Sequence, residues 1–181
     1  MSLTSTMHNV AIELADVDRG VYETLALKVA RHPSETEEFF ATRLLAYALE
    51  CSEGITFSRG LSEPDEPAIT VRDLTGALVS WIEIGMPAAA RLHKASKASP
   101  RVAVYIHKAA EPYRKQLAGE RIHRADEIEI YAIERELLTG LASRLDRRMA
   151  MDISVNERQM FVTIGGTTLE GKVERVVIGA E

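Results

Sequence analysis

Residues 34–107 switch between two hydrophobic periods in a set order, and that order restricts the chain to folds that mix helices with strands. His32-Pro33-Ser34-Glu35-Thr36-Glu37 carries the marks of a helix start. Proline suits a first turn, and Ser34 with Glu37 has capping-box spacing. Phe39, Phe40, Leu44, Leu45, Tyr47, Ala48 and Cys51 then carry a helix to about residue 51, with Glu35 in its first turn. Ile55–Phe57, Ala68–Arg72 and Ala77–Ile84 read as strands, the last two forming a hairpin around Asp73-Leu74-Thr75-Gly76. Pro87 opens a second helix that runs to about Ala98, and Arg101–His107 is an apolar strand.

The flanks add further strands. Asn9–Asp16 alternates apolar and polar residues. Val21–Ala30 fits either period, and the Asp18-Arg19-Gly20 turn favours a hairpin. Beyond residue 107, Glu111–Gln116 reads as a short helix, Glu127–Ala132 as a strand and Glu134–Leu145 as a helix. Ala150–Val155 and Met160–Ile164 pair across Asn156-Glu157-Arg158, and Lys172–Ile178 adds a last strand after Gly165-Gly166. The expected architecture is α/β (α+β). It has a mixed central sheet, a core at about 34–107, an N-terminal hairpin and a small antiparallel C-terminal sheet with an edge open to dimerisation. No linker or repeat divides the chain, so residues 1–181 are expected to form one domain.

At 46% hydrophobic and 27% charged residues the chain is not of disordered type. No apolar run is long enough to span a bilayer, so no membrane partner is expected. The first residues lack the pattern of a secretory signal, and the one cysteine, Cys51, excludes an intrachain disulfide; a cytoplasmic address is expected. Cys51 closes an apolar helix pattern and reads as packing. The net charge of −5 argues against indiscriminate nucleic-acid binding. Residues 91–124, however, hold nine basic residues against two acidic ones, Glu111 and Glu120. Such a block either steers a polyanion to one face or is simply a solvated surface.

Three carboxylates are placed where they could meet. Asp65 precedes the first strand of the hairpin, Glu83 lies near the end of the second, and Glu35 lies in the helix before them. Converging carboxylates suit a hard cation such as Mg²⁺ or Mn²⁺, which activates water and stabilises phosphodiester oxyanions. Lys94, one turn after Arg91 on the second helix, is the candidate to assist the attacking water. Plainer roles stand beside these. Glu35 suits the positive end of a helix, and Asp65 suits a polar turn between prolines. Glu83, among Trp81, Ile82 and Ile84, needs a partner, either a cation or one of Lys94, Arg91 and Arg59. His32 beside Pro33 suits capping of a backbone group, and His93, His107 and His123 lack zinc-ligand spacing. Phosphate-loop, nucleophile-elbow and dinucleotide motifs are absent from the sequence.

The order helix, three strands, helix, strand resembles the PD-(D/E)XK nuclease superfamily. Pro64-Asp65 fits its first element and Glu83 the acidic position of its second. Gly85 stands where that element has lysine, and the resemblance implies Lys94 as a substitute from the following helix. A longer series is more specific: Ala15-Asp-Val-Asp-Arg19, Ala30-Arg-His-Pro-Ser-Glu-Thr36, Phe57-Ser-Arg-Gly-Leu61, Asp65-Glu-Pro67, Trp81-Ile-Glu-Ile-Gly85, then Pro87, Arg91 and Lys94-Ala95. In order and spacing it resembles the YaeQ family along nearly the whole chain. That resemblance implies a small bacterial protein built on a variant of the nuclease core. It puts Glu35, Asp65, Glu83 and Lys94 on motif positions, with Arg31, His32, Ser34 and Arg59 also in the pattern.

Two functions follow. In one, Glu35, Asp65 and Glu83 hold Mg²⁺ or Mn²⁺ in a nuclease or phosphodiesterase, Lys94 assists the water, and Arg31, His32, Ser34, Arg59, Arg91 and the 91–124 block meet the substrate. In the other, a non-catalytic descendant binds nucleic acid or a protein partner through the basic face, its carboxylates neutralised by Arg and Lys. Three carboxylates within about 5 Å of one point favour the first. Carboxylates locked in bidentate arginine pairs favour the second.

Overall fold

The computed structural model describes residues 4–58 and 65–178. Two long strands, β1 (Thr6–Asp16) and β2 (Val21–Arg31), form the expected hairpin. They lead into α1 (Glu37–Leu49), followed by β3 (Ile55–Phe57), β4 (Ile69–Arg72) and β5 (Leu78–Ile84). Next come α2 (Ala89–Ala98), β6 (Arg101–Ile106) and α3 (Ala110–Leu117). The remaining elements are β7 (Glu129–Ile133), α4 (Arg135–Ala142), β8 (Arg148–Asn156), β9 (Gln159–Ile164) and β10 (Thr167–Val176). No helix among the described residues is long and apolar enough to cross a membrane.

All ten strands join in one sheet, in the order β2-β1-β8-β9-β10-β7-β6-β5-β4-β3. The C-terminal strands are therefore not a separate small sheet. β8 runs parallel to β1, with Asn9 opposite Arg148, and β10 pairs with both β9 and β7. β8, β9 and β10 lie inside the sheet, and the free edges are β2 and β3. β10 also starts five residues earlier than the apolar run predicts, because Thr167–Lys172 pair with β9 through backbone bonds that need no apolar side chain.

The sheet curls around α1. Every residue from Phe40 to Leu49 is buried, and all of these side chains but Thr42 and Arg43 share one cluster with Val10 and Ile12 of β1, Ile82 of β5, Tyr105 of β6, Ile153 of β8 and Leu138 of α4. A helix this largely apolar around its circumference is stable when enclosed in this way. Each fully buried Leu or Phe contributes about 1.5–3 kcal/mol. Thr36 caps α1 by accepting the Phe39 N–H at 3.1 Å, so the Ser34/Glu37 capping box does not form and Glu35 lies outside the first turn. Ser34 is engaged elsewhere, its N–H donating to His32 Nδ1 at 3.1 Å. The far end of α1 lacks basic residues of its own; Arg19, from the β1–β2 turn, donates to the carbonyls of Ala48 and Cys51. Cys51 is buried there, and burial pushes its thiol pKa up.

The outer face of β5, β6 and β7 carries a second cluster, in which Trp81, Val104 and Ile130 pack against Leu92 of α2 and Tyr113 of α3. Tyr113 donates its hydroxyl to the Pro87 carbonyl at 2.7 Å, which ties α3 to the entry of α2. Side chains alternate along a strand, so Ile82 and Ile84 of β5 face α1 while Trp81 and Glu83 face α2.

Candidate functional site

That alternation separates the predicted carboxylates. Glu35 sits on the inner side with α1. Its two oxygens accept from Nε and Nη2 of Arg43 at 3.0 and 3.1 Å, and both side chains are 3% exposed. Arg43 lies in the middle of the buried helix, between the rings of Phe40 and Phe57, and it also donates to the Ala30 carbonyl. The Arg31 guanidinium donates to the backbone carbonyl of Glu35. Burial pushes the Glu35 carboxyl above its ordinary range, against the pull of Arg43.

Glu83 is on the outer side. Its Oε1 accepts from Trp81 Nε1 at 2.7 Å and from Arg91 Nε at 2.8 Å. Arg91 also donates to the Glu66 carbonyl at 2.9 Å, one residue from Asp65. Asp65 in turn accepts from Lys94 Nζ at 3.1 Å, both groups being well exposed. Asp65, Glu83, Arg91 and Lys94 are thus brought together around the first turns of α2. The hairpin register explains the meeting: Ile69 pairs with Ile82, so the entry of β4 lies beside the exit of β5. Burial pushes the Glu83 carboxyl up, while the bonds from Trp81 and Arg91 pull it down without reversing the shift. Gly85 has φ +96°, a backbone conformation that disfavours a lysine at the position where the nuclease superfamily has one.

The three carboxylates therefore do not meet at one point. Among the described residues, no three His, Cys, Asp or Glu side chains are grouped to hold a metal ion. Glu35 faces the α1 side under a bidentate arginine, and the guanidinium of Arg91 lies against Glu83 where a cation would be expected. The residues present do not fit a divalent cation in this arrangement. Arg59 lies outside the described residues.

The basic block is also divided. Arg101 crosses to the α1 end of the molecule, Arg124 caps α2 by donating to the carbonyls of Ser96 and Ser99, and Arg114 donates to Val177. Lys94, Lys97, Lys115 and Arg121 remain exposed on α2, α3 and the following loop. That loop docks on α2 where the His123 N–H donates to His93 Nδ1 at 2.9 Å.

A cavity of about 830 Å³ at the end of α1, lined by both charged and apolar side chains, was not foreseen from the sequence. Arg101 is its centre, bonded to both oxygens of Glu50 and both of Glu129, with Tyr105 and Tyr131 donating to the same two carboxylates. Burial opposes the charge on Arg101, but its bonds to Glu50 and Glu129 outweigh burial and hold it protonated. The Glu129-Ile-Tyr131 alternation was the one available signal, since it aims both polar groups to one side of a strand.

The profile of the family described as YaeQ protein matches residues 1–173. The uncharacterized protein YaeQ of Escherichia coli (strain K12) is 29% identical over 172 residues, covering 94% of each chain. Its counterpart from Salmonella typhi is 30% identical over the same length and coverage. Among solved structures, the YaeQ protein from Pseudomonas syringae is similar with a TM-score of 0.86, 33% identity and 96% of each chain covered. The YaeQ protein from Xanthomonas axonopodis pv. citri is similar with a TM-score of 0.86 and 30% identity, covering 95% of this chain and 98% of that one.

Proposed function

The chain belongs to the YaeQ family, and we propose that it binds the phosphate backbone of a nucleic acid on its α2–α3 face without cutting it. The observation that carries this reading is Arg91, bonded at once to Glu83 and to the Glu66 carbonyl. A guanidinium in that place neutralises a buried carboxylate without a metal ion. Lys97, Lys115 and Arg121, exposed on α2, α3 and the following loop, together with Lys94 at the surface beside Asp65, would meet the phosphates. The test is fluorescence anisotropy with labelled duplex DNA and single-stranded RNA over a salt series. Affinity should fall steeply with salt, and Lys97→Glu or Lys115→Glu should weaken binding and reduce the salt slope by roughly one each. Absence of salt-dependent binding to either polymer overturns the proposal.

A second reading, a divalent-metal-dependent nuclease on a PD-(D/E)XK-like core, has one observation in its favour. Asp65, Glu83 and Lys94 share one face around α2, with β5 and β6 parallel behind them. It requires Arg91 to leave Glu83. Calorimetric titration of Mn²⁺ into wild type and Arg91→Ala separates the readings. Saturable binding in either protein that is abolished by Glu83→Ala favours the nuclease, and none in either favours the binding protein.

A further inference from the structure

The cavity at the end of α1 is lined by charged groups from both halves of the sheet, and most of its carboxylates are already engaged. Asp16 is bonded to Arg19, Glu50 and Glu129 to Arg101, and Asp73 to Thr75 and Ala77. Asp18 accepts the backbone N–H groups of Glu157 and Arg158 at 2.7 and 2.9 Å. The arginines Arg72 and Arg158 also line the cavity but pair with no carboxylate among the described residues. Among the described residues, the Arg72 guanidinium donates only to the Gly76 carbonyl. Arg158 lies over the Tyr131 ring at 4.7 Å, and stacking occupies the face of a guanidinium while leaving its N–H edge for a ligand. Arg175 approaches the same ring at 5.5 Å.

The turn that delivers Arg158 is unusual. Asn156 pairs with Gln159, so Glu157 and Arg158 form a two-residue hairpin turn with φ of +50° and +64°. Such a turn favours Asn-Gly, and here a bulky arginine holds the position instead. Asp18 fixes the turn in place.

We propose that this cavity binds a small phosphate-bearing molecule, with Arg158 and Arg72 holding the phosphate and Tyr131, Val71 and Leu74 bounding its organic part. The volume lies within the range of small-ligand sites and far exceeds what a bare oxyanion fills. The site is separate from the α2–α3 face, and neither proposal depends on the other.

The test is calorimetric titration of inorganic phosphate and phenyl phosphate into the full chain. Wild type should bind both saturably, and phenyl phosphate more tightly; equal affinity for the two would overturn the role given to the organic part. Arg158→Gly should weaken binding by about tenfold or more, the loss of one charge-assisted contact, without lowering the melting temperature, because glycine suits the backbone there. Arg72→Gln should weaken it comparably, while Arg135→Gln, an exposed residue of α4 that does not line the cavity, should not. No saturable binding, or binding that survives both cavity substitutions, overturns the proposal. If Arg158→Gly loses binding and folded structure together, Arg158→Lys and Arg72→Gln decide. Undiminished binding in both folded variants overturns it, and weakened binding in either supports it.

Discussion

Arg43 and Glu35 face each other in two hydrogen bonds of 3.0 and 3.1 Å inside the curl of the sheet, each side chain 3% exposed. Removing one partner leaves the other charged and enclosed. Arg43→Met should cost about 3–5 kcal/mol, and adding Glu35→Gln should restore part of that loss. Urea denaturation of the two variants checks both statements, and equal losses would show that the pairing is not what Arg43 supplies.

Glu83 gives a pH dependence. Burial raises its folded pKa above the ordinary 4.5, so the folded state keeps the proton to higher pH than the unfolded chain does. Stability from this group is full below 4.5 and is lost as pH rises through the folded value. Glu83→Gln keeps an acceptor for Trp81 and removes the titration. Urea midpoints measured from about pH 4 to about pH 7 should therefore fall in wild type relative to the variant. A parallel pair of curves would contradict the assignment.

Gly54 tests the closure of the β3–β4 hairpin. Its φ is +86°, and an added Cβ would lie 1.9 Å from the Arg72 carbonyl oxygen. Both the strain and the clash with backbone must be relieved together, so Gly54→Ala should cost at least about 2 kcal/mol. Thermal unfolding gives the number, and a cost near zero would mean that the turn relaxes freely.

Glu157→Gly should act in the opposite direction. Relief of a left-handed non-glycine residue gains about 1–2 kcal/mol. The added freedom of the unfolded chain takes back about 0.5–1 kcal/mol. A net rise of up to about 1.5 kcal/mol is expected in urea denaturation.

Most elements were legible because their side chains repeat with one clear period. β1, α1, β5 and β6 fall where Val10, Leu44, Ile82 and Val104 place them. The parallel pairing of β1 with β8 was not, since register between residues 139 apart leaves no local trace. The meeting of Asp65 with Lys94 follows from hairpin order and helix spacing. The isolation of Glu35 does not, because it depends on which way the sheet curls around α1. Arg43 was hidden for the same reason: a lone arginine in an apolar helix reads as a surface residue until the helix is enclosed.

β10 also sets a condition on synthesis. Its first half bonds β9 and its second half bonds β7, so it stitches the N-terminal hairpin side to the β3–β7 side. Until Val176 has left the ribosome, α1 lacks a complete enclosure, and its apolar surface is open to solvent for most of translation. Folding that depends on contacts so distant along the chain is slow and exposes its intermediates to aggregation.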